Sequence, residues 1–218
     1  MNRLAKNYKY IIFDFDGTIN NTAPGIYATF TAVLKHFGID ASGKDLNEHI
    51  GPPLKYSYTK LVGEQKCDEA IALHRKIFVD INAVEQSYIY DGAKEVLDSL
   101  YKSGKYRLAV ASCKFQPHLL RSLDVFGLRG YFTSVYAQTP ERLYKTDVLR
   151  ELVSDNGWNP SECLMIGDTM HDVEGANANG IDVVAVTYGF GKREELLKSN
   201  IVAYVDEPKQ ISELLLRP

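Results

Sequence analysis

The spacing of two aspartates after a short apolar segment gives the most direct indication of chemistry. Asp14 and Asp16 follow Tyr10–Phe13, and Gly17 comes next. Side chains two residues apart on a strand point the same way, and glycine permits a sharp turn, so both carboxylates are predicted to leave one strand end together. Such close like charges need a cation or a shared proton, and two oxygen ligands suit Mg²⁺. Alone, the pattern also fits a solvated acidic turn.

Two further predicted strand ends carry polar residues. Ser112 follows the apolar segment 108–111, and Asp168 follows the apolar segment 163–166, with Asp172 four residues later. In an open parallel sheet, ligands bind outside the carboxyl ends of the strands. We therefore expect Ser112, Asp168 and Asp172 to meet the first carboxylate pair in one crevice, where a metal ion would let the carboxylates coexist.

Each of these residues also has a purely structural explanation. Asp168 or Thr169 could cap a helix, and Asp172 could favour the positive end of that helix. Ser112 could be an ordinary strand-end hydroxyl. Alternatively, Ser112 could hydrogen-bond a phosphate oxygen beside the backbone amide of Cys113.

A lysine and a histidine are further candidates for the site. Lys145 is predicted to open a helix, where its charge could neutralise both a phosphate and a nucleophilic carboxylate. His171, beside the second acidic pair, is a candidate for a supporting role. Cys113 is not expected to be a tyrosine-phosphatase nucleophile, because Leu119 stands where that mechanism requires an arginine.

The elements that must position these residues alternate between strand and helix along most of the chain. This pattern predicts an α/β fold with a Rossmann-like parallel sheet covered on both faces. Residues 20–87 interrupt this alternation, because their apolar residues follow helical spacing only. They are predicted to include a helix near Asp45 and a longer one over 67–84. We therefore predict an α/β core of residues 1–19 and 88–218 and an inserted helical cap of residues 20–87.

Composition excludes several classes of protein. The 218 residues carry a net charge of −3, which offers no field to recruit nucleic acid or an anionic membrane. We see no signal peptide and no segment with the roughly 20 apolar residues of a membrane span. Three widely spaced cysteines argue against a disulfide framework and fit a reducing cytoplasm.

Together, the four segments resemble the motifs of the haloacid dehalogenase superfamily of phosphohydrolases. In chain order the matching segments are Asp14-Phe15-Asp16-Gly17-Thr18, Leu108 to Ser112, Lys145, and Gly167-Asp168-Thr169-Met170-His171-Asp172. The loop Ile50-Gly51-Pro52-Pro53-Leu54 resembles a cap loop of phosphoglycolate-phosphatase-like members, which makes Gly51 and Pro52 candidate substrate contacts. Those members often have Asp-Ser where this chain has Asn21-Thr22.

The resemblance implies a Mg²⁺-dependent hydrolysis of a small phosphorylated metabolite. Asp14 would attack phosphorus and form an aspartyl phosphate, and Asp16 would protonate the leaving oxygen and then activate water. The implied metal ligands are Asp14, the backbone carbonyl of Asp16, Asp168 and Asp172. The implied phosphate-binding residues are Ser112, Cys113 and Lys145.

Other functions share parts of this pattern. A sugar phosphomutase has the same four motifs and the same cap. A phosphonate hydrolase would use a cap lysine, for which Lys35, Lys44, Lys55 and Lys60 are available, but would not have an acid at Asp16. A dehalogenase needs neither the second aspartate nor a metal. A non-catalytic phosphate-binding protein is the alternative from another class. The chain could be a monomer or a homodimer.

Overall fold

The computed structural model describes Leu4 and residues 6–216. Its strands are β1 (Tyr10–Phe13), β2 (Asn20–Asn21), β3 (Tyr88–Ile89), β4 (Arg107–Phe115), β5 (Ser134–Gln138), β6 (Cys163–Gly167), β7 (Asp182–Val186) and β8 (Ala203–Val205). Its α-helices are α1 (Ala23–His36), α2 (Leu54–Val62), α3 (Glu64–Asp80), α4 (Ala93–Lys102), α5 (Gln116–Val125), α6 (Lys145–Asp155), α7 (Met170–Asn177), α8 (Arg193–Lys198) and α9 (Lys209–Leu216).

Six strands form one parallel sheet in the order β5-β4-β1-β6-β7-β8. Successive side chains of the central strand β1 point to opposite helical layers, because side chains alternate between the two faces of a strand. Ile11 and Phe13 pack in the core with α4, α5 and α9, whereas Ile12 packs in the other core with α6, α7 and α8. The predicted α/β fold with a doubly covered parallel sheet is therefore confirmed.

Helices α1, α2 and α3, with their connecting segments, form a helical unit that we call the cap. They bury a third apolar cluster that includes Phe30, Tyr58 and Phe78. The strands β2 and β3 lie at the two ends of this unit and pair with each other in antiparallel orientation. The division into 1–19 plus 88–218 and 20–87 stays a prediction.

Three details of the cap differ from the sequence-based expectation. The helix expected near Asp45 is only a 3₁₀ turn, Asn47–His49, followed by the helix-breaking Gly-Pro-Pro segment. The helix expected over 67–84 begins earlier, after Gly63 at φ 84°, and ends before Asn82, whose φ of 49° is left-handed. Strand β2 was not expected, because a two-residue strand has no periodic signal.

Among the described residues, no helix is both long and apolar enough to cross a membrane.

Candidate active site

Three buried carboxylates meet where β1 and β6 end. The two strands pair with Phe13 opposite Ile166, so the residues that follow the two strands lie close together. Carboxylate oxygens of Asp14, Asp168 and Asp172 all lie within 4.8 Å of one another. The structure thus brings together three of the four aspartates expected to hold a metal.

Lys145 is the cation closest to this cluster. Its Nζ lies 2.9 Å from Oδ1 of Asp14 and 2.7 Å from Oδ1 of Asp172, and it donates to the carbonyl oxygen of Ala111 at 2.8 Å. A Cβ added at Gly175 on α7 would lie 2.8 Å from Cγ of Lys145. Glycine at that position therefore lets α7 approach α6 closely enough to place the ammonium between two carboxylates.

Asp172 has two roles at the start of α7. Its Oδ2 accepts hydrogen bonds from the backbone amide and the hydroxyl of Thr169, both at 2.9 Å, and the hydroxyl of Thr169 completes a capping box. Its Oδ1 faces Lys145. The structural and functional explanations of Asp172 are therefore compatible, since each oxygen serves one of them.

Asp168 is held by the loops around it. Its Oδ2 accepts from the backbone amide of Phe190 at 2.7 Å, and its Oδ1 accepts from the hydroxyl of Thr18 at 3.3 Å. A Cβ at Gly17 would lie 2.1 Å from Oδ2, and one at Gly189 would lie 2.4 Å from it. These two glycines therefore make room for the carboxylate, and Gly17 also has a φ of 85°.

The burial of the carboxylates changes their protonation. Burial raises the pKa of Asp14 to about 7, aided by Asp172 and Asp16 and opposed by Lys145. Burial also raises the pKa of Asp168 well above its usual range, with Asp172 and Asp14 adding to the effect. Burial alone would lower the pKa of Lys145, but Asp14 and Asp172 outweigh it and raise the pKa.

The donor set of the cluster fits a hard divalent cation. It consists of carboxylate oxygens, and Oδ1 of Asp14 is buried without a hydrogen-bond partner although Lys145 lies near it. One lysine cannot balance three ionised carboxylates, so full ionisation of the cluster requires a further cation such as Mg²⁺.

The carboxylate of Asp16 lies outside this cluster. Instead, both of its oxygens accept from Nζ of Lys114, at 3.0 and 3.2 Å, in a pair whose side chains are almost fully buried. The side chain of Asp16 is therefore not grouped with the expected metal ligands, and the expected role of its backbone carbonyl stays a prediction. Lys114 was missed as a partner, because 98 positions separate the two residues.

Ser112 and Cys113 lie on the irregular end of β4, where the register with β5 shifts between Ser112 and Phe115. Ser112 is buried, and its hydroxyl accepts from the backbone amide of Lys114 at 3.2 Å. Burial raises the pKa of the Cys113 thiol to about 12. A thiol with that pKa is not a ready nucleophile, in agreement with the sequence analysis.

A cavity of about 50 Å³ separates these strand ends from the cap. On the core side it is lined by Asp14, Asp16, Ser112, Cys113, Lys114, Phe115 and His118. On the cap side it is lined by Ile26, Phe30, His49, Ile50, Gly51, Pro52, Leu54, His74 and Phe78. The candidate catalytic and cap residues therefore share one cavity.

Gly51 brings the cap loop onto the core. Its φ is 101°, and a Cβ there would lie 3.2 Å from Cγ2 of Thr169, next to Asp168. His171 is half-buried and is not among the described residues that line the cavity. The three histidines that do line it were not identified as site residues, because only packing between distant segments places them there.

None of the four candidate cap lysines lines the cavity. All four are exposed, and two of them contact groups of the cap itself. Lys55 lies 3.9 Å from a carboxylate oxygen of Glu64, and Lys60 donates to the hydroxyl of Tyr56 at 2.5 Å. The described cap thus offers no lysine for a phosphonate hydrolase at this cavity.

Comparisons with known proteins show which proteins this chain resembles. The family model described as "Haloacid dehalogenase-like hydrolase" matches residues 11–186. A protein of Pseudomonas aeruginosa named "5'-nucleotidase" is 33% identical over 201 residues, which cover 90% of each chain. A "Phosphoglycolate phosphatase" of Synechococcus elongatus is 30% identical over 187 residues, covering 86% of this chain and 87% of the relative.

A solved structure is also similar over almost the whole chain. It is described as a predicted phosphatase from Clostridium acetobutylicum, with a TM-score of 0.90 and 31% sequence identity. The match covers 97% of this chain and 99% of that one. Sequence motifs, fold and relatives therefore agree, and the chain belongs to the haloacid dehalogenase-like hydrolase family as one of its phosphatases.

Proposed function

We propose that the protein is a Mg²⁺-dependent phosphomonoester hydrolase that acts through an aspartyl-phosphate intermediate. The observation that carries the proposal is the position of Asp14, which is 3% exposed, borders the cavity and lies 2.9 Å from Nζ of Lys145. Lys145 holds the carboxylate in place and would neutralise charge on a phosphoryl group beside it.

In the first step, an oxygen of Asp14 forms a bond to phosphorus while the bond from phosphorus to the ester oxygen breaks. Asp16 gives its proton to the departing oxygen, which requires its carboxylate to leave Lys114 and take up a proton. Ser112 and Lys145 bind the transferring phosphoryl oxygens. Asp16 then removes a proton from water, which attacks phosphorus and releases phosphate from Asp14.

Magnesium would be held by Asp14, Asp168 and the backbone carbonyl of Asp16, with Asp172 beside them. When bound, it would neutralise the carboxylates and stabilise the charge of the phosphoryl group. The cap would close over a bound substrate and exclude water from the site.

The proposed substrate is a small phosphorylated metabolite. The names of the relatives, 5'-nucleotidase and phosphoglycolate phosphatase, support this class. By the same resemblance, the reaction is proposed to be phosphoglycolate-phosphatase-like. A cytoplasmic location and a monomeric or homodimeric state stay predictions.

Phosphate release from p-nitrophenyl phosphate tests the proposal. We expect steady release with Mg²⁺, none in excess EDTA, and recovery when Mg²⁺ is restored. Activity that persists in EDTA would contradict the metal requirement. Transfer of phosphate between sugar phosphates without release would instead identify a phosphomutase, and binding without turnover would identify a non-catalytic protein.

A further inference from the structure

Lys114 places a positive charge between the core and the cap at the cavity. It is the only cation among the described lining residues, because burial lowers the pKa of all three lining histidines, to about 3 for His74 and about 4 for His118. Its Nζ lies 3.0 and 3.2 Å from the carboxylate oxygens of Asp16 on the core, and 5.0 Å from the centroid of the Phe78 ring on the cap. Asp16 and Phe78 also line the cavity, so residues of the cavity wall lie on both sides of this ammonium.

Arg75 is a second cation at the same boundary. Its guanidinium, on cap helix α3, lies 4.0 Å from the centroid of the ring of Phe115, a lining residue at the end of β4. Arg75 and Lys114 therefore make reciprocal contacts, in which a cation of one unit covers an aromatic ring of the other. The rings of Phe78 and Phe115 both contact His118, with centroids 4.3 and 5.3 Å from that imidazole. Burial is the main cause of the low pKa of His118, and both cations lower that pKa further, so they lie near the same imidazole.

The charge of Arg75 has no carboxylate partner among the described residues. Its Nε is buried without a hydrogen-bond partner. Burial lowers its pKa, and no carboxylate offsets this effect. The pair of cations thus has one carboxylate, that of Asp16, which binds Lys114.

The proposed reaction takes that carboxylate away from Lys114. Asp16 must face the ester oxygen to act on the leaving group, and it cannot do so while both of its oxygens bind Lys114. Lys114 would then be a buried ammonium without a partner, which is strongly unfavourable. An anionic group of the substrate can replace Asp16 there. That group belongs to the leaving group, because Asp16 acts on the leaving group whereas Lys145 binds the transferring phosphoryl group.

We propose that Lys114 and Arg75 select substrates whose leaving group carries a carboxylate. Lys114 binds this carboxylate in exchange for that of Asp16, and Arg75 adds the second positive charge. The proposal rests on the proposed hydrolase function and defines its substrate class as phosphate esters of small hydroxy acids. A carboxylate is the group that Lys114 already binds in Asp16, and the exchange leaves Asp16 free to act at the ester oxygen.

Two esters with two-carbon leaving groups test the proposal. 2-Phosphoglycolate releases an anion, whereas 2-hydroxyethyl phosphate releases a neutral diol. We expect the wild-type kcat/KM to be about tenfold to a hundredfold higher for 2-phosphoglycolate, the typical effect of a hydrogen bond to a charged group. An equal or lower value for 2-phosphoglycolate would overturn the proposal. A higher value for pyrophosphate, whose leaving group is a phosphate, would also overturn it.

Variants then assign the effect to the two cations. Lys114→Met and Arg75→Met should each lower the ratio of the two kcat/KM values by at least about fivefold, whereas Arg75→Lys, which keeps the charge, should retain most of it. The matched control Arg121→Met also removes an arginine between core and cap, but Arg121 is already paired with Glu85 at 2.7 Å. This control should leave the ratio unchanged.

The ratio of the two esters cancels any loss of folded enzyme. Equal losses on both esters in Lys114→Met or Arg75→Met would overturn the role proposed for that residue in the choice of substrate. If wild-type enzyme with Mg²⁺ hydrolyses p-nitrophenyl phosphate but does not prefer 2-phosphoglycolate, the hydrolase function stands and this proposal alone fails. If p-nitrophenyl phosphate and both esters are inert, the hydrolase function itself fails, and this proposal fails with it.

Discussion

Replacing Asp14 by Asn should abolish turnover and also stabilise the metal-free protein. Burial raises the pKa of Asp14 from its ordinary value of 3.8 to about 7. Each unit of pKa corresponds to about 1.4 kcal/mol, so at pH 8 the ionised carboxylate costs the folded state at most about 4 kcal/mol. Burial also raises the pKa of Asp168, and this carboxyl titrates together with Asp14, so we expect a gain of about 2–4 kcal/mol in the Asn variant.

The gain has a defined pH dependence. The folded-state pKa of Asp14 lies above its unfolded value, so its favourable contribution is complete below pH 3.8 and is lost as the pH rises through 7. Asp14→Asn removes the carboxyl group, and with it the loss of stability that its ionisation causes at high pH. The free energy of unfolding, measured with urea in EDTA, should therefore be nearly the same for both proteins near pH 4 and should favour the variant at pH 8.

Asp16→Asn is the matched control, because it removes a carboxylate two residues away. The carboxylate of Asp16 is paired with the buried Lys114, so its removal leaves that ammonium without its partner and should destabilise the protein. Both variants should lose phosphatase activity. A destabilised Asp14→Asn protein at pH 8, a gain that does not vary with pH, or more than about one per cent of wild-type activity would refute the reasoning.

Asp168→Ala should raise the Mg²⁺ concentration for half-maximal activity by at least about tenfold, because even groups that only support a metal ligand have effects of that size. A Mg²⁺ titration of phosphate release checks this. An unchanged midpoint would exclude Asp168 as a ligand. Ca²⁺ should inhibit the Mg²⁺-dependent activity, because its larger and looser coordination misplaces Asp14; unaffected rates in a competition assay would contradict this. Lys145→Met should lower kcat/KM by a similar factor on p-nitrophenyl phosphate and on the preferred substrate, because all substrates share the phosphoryl group, and unequal losses would argue against that role. Gly51→Leu places a side chain beside Thr169 on a residue whose φ is 101°. We expect kcat/KM to fall less for p-nitrophenyl phosphate than for the preferred substrate. Equal losses on both substrates at normal thermal stability would show that the loop does not select the substrate.

The sequence predicted those parts of the site that depend on local pattern. Asp14 and Asp168 come directly after apolar strands, and parallel strand ends share one edge of a sheet, so their convergence could be anticipated. The position of Lys145 at the start of a helix could also be anticipated, and that helix begins at Lys145.

Other parts depend on contacts between distant segments. The pairing of Lys114 with Asp16 could not be predicted, because the two residues are 98 positions apart in the sequence. The position of His49 depends on a 3₁₀ turn and on the packing of the cap against the core. Histidines on apolar helix faces are ordinary core residues in most sequences, so their type alone did not distinguish them.

The pairing of β2 with β3 has a consequence for how the length of the inserted cap can vary. Asn20 lies opposite Ile89 and Asn21 opposite Tyr88, so the chain leaves the core and returns to it on neighbouring strands, about 5 Å apart. The closure entropy of a segment inserted between two such points rises only with the logarithm of its length, so a longer insertion costs little more than a short one. We therefore expect that the cap can be lengthened or exchanged while the sheet that carries Asp14 and Asp168 keeps its register.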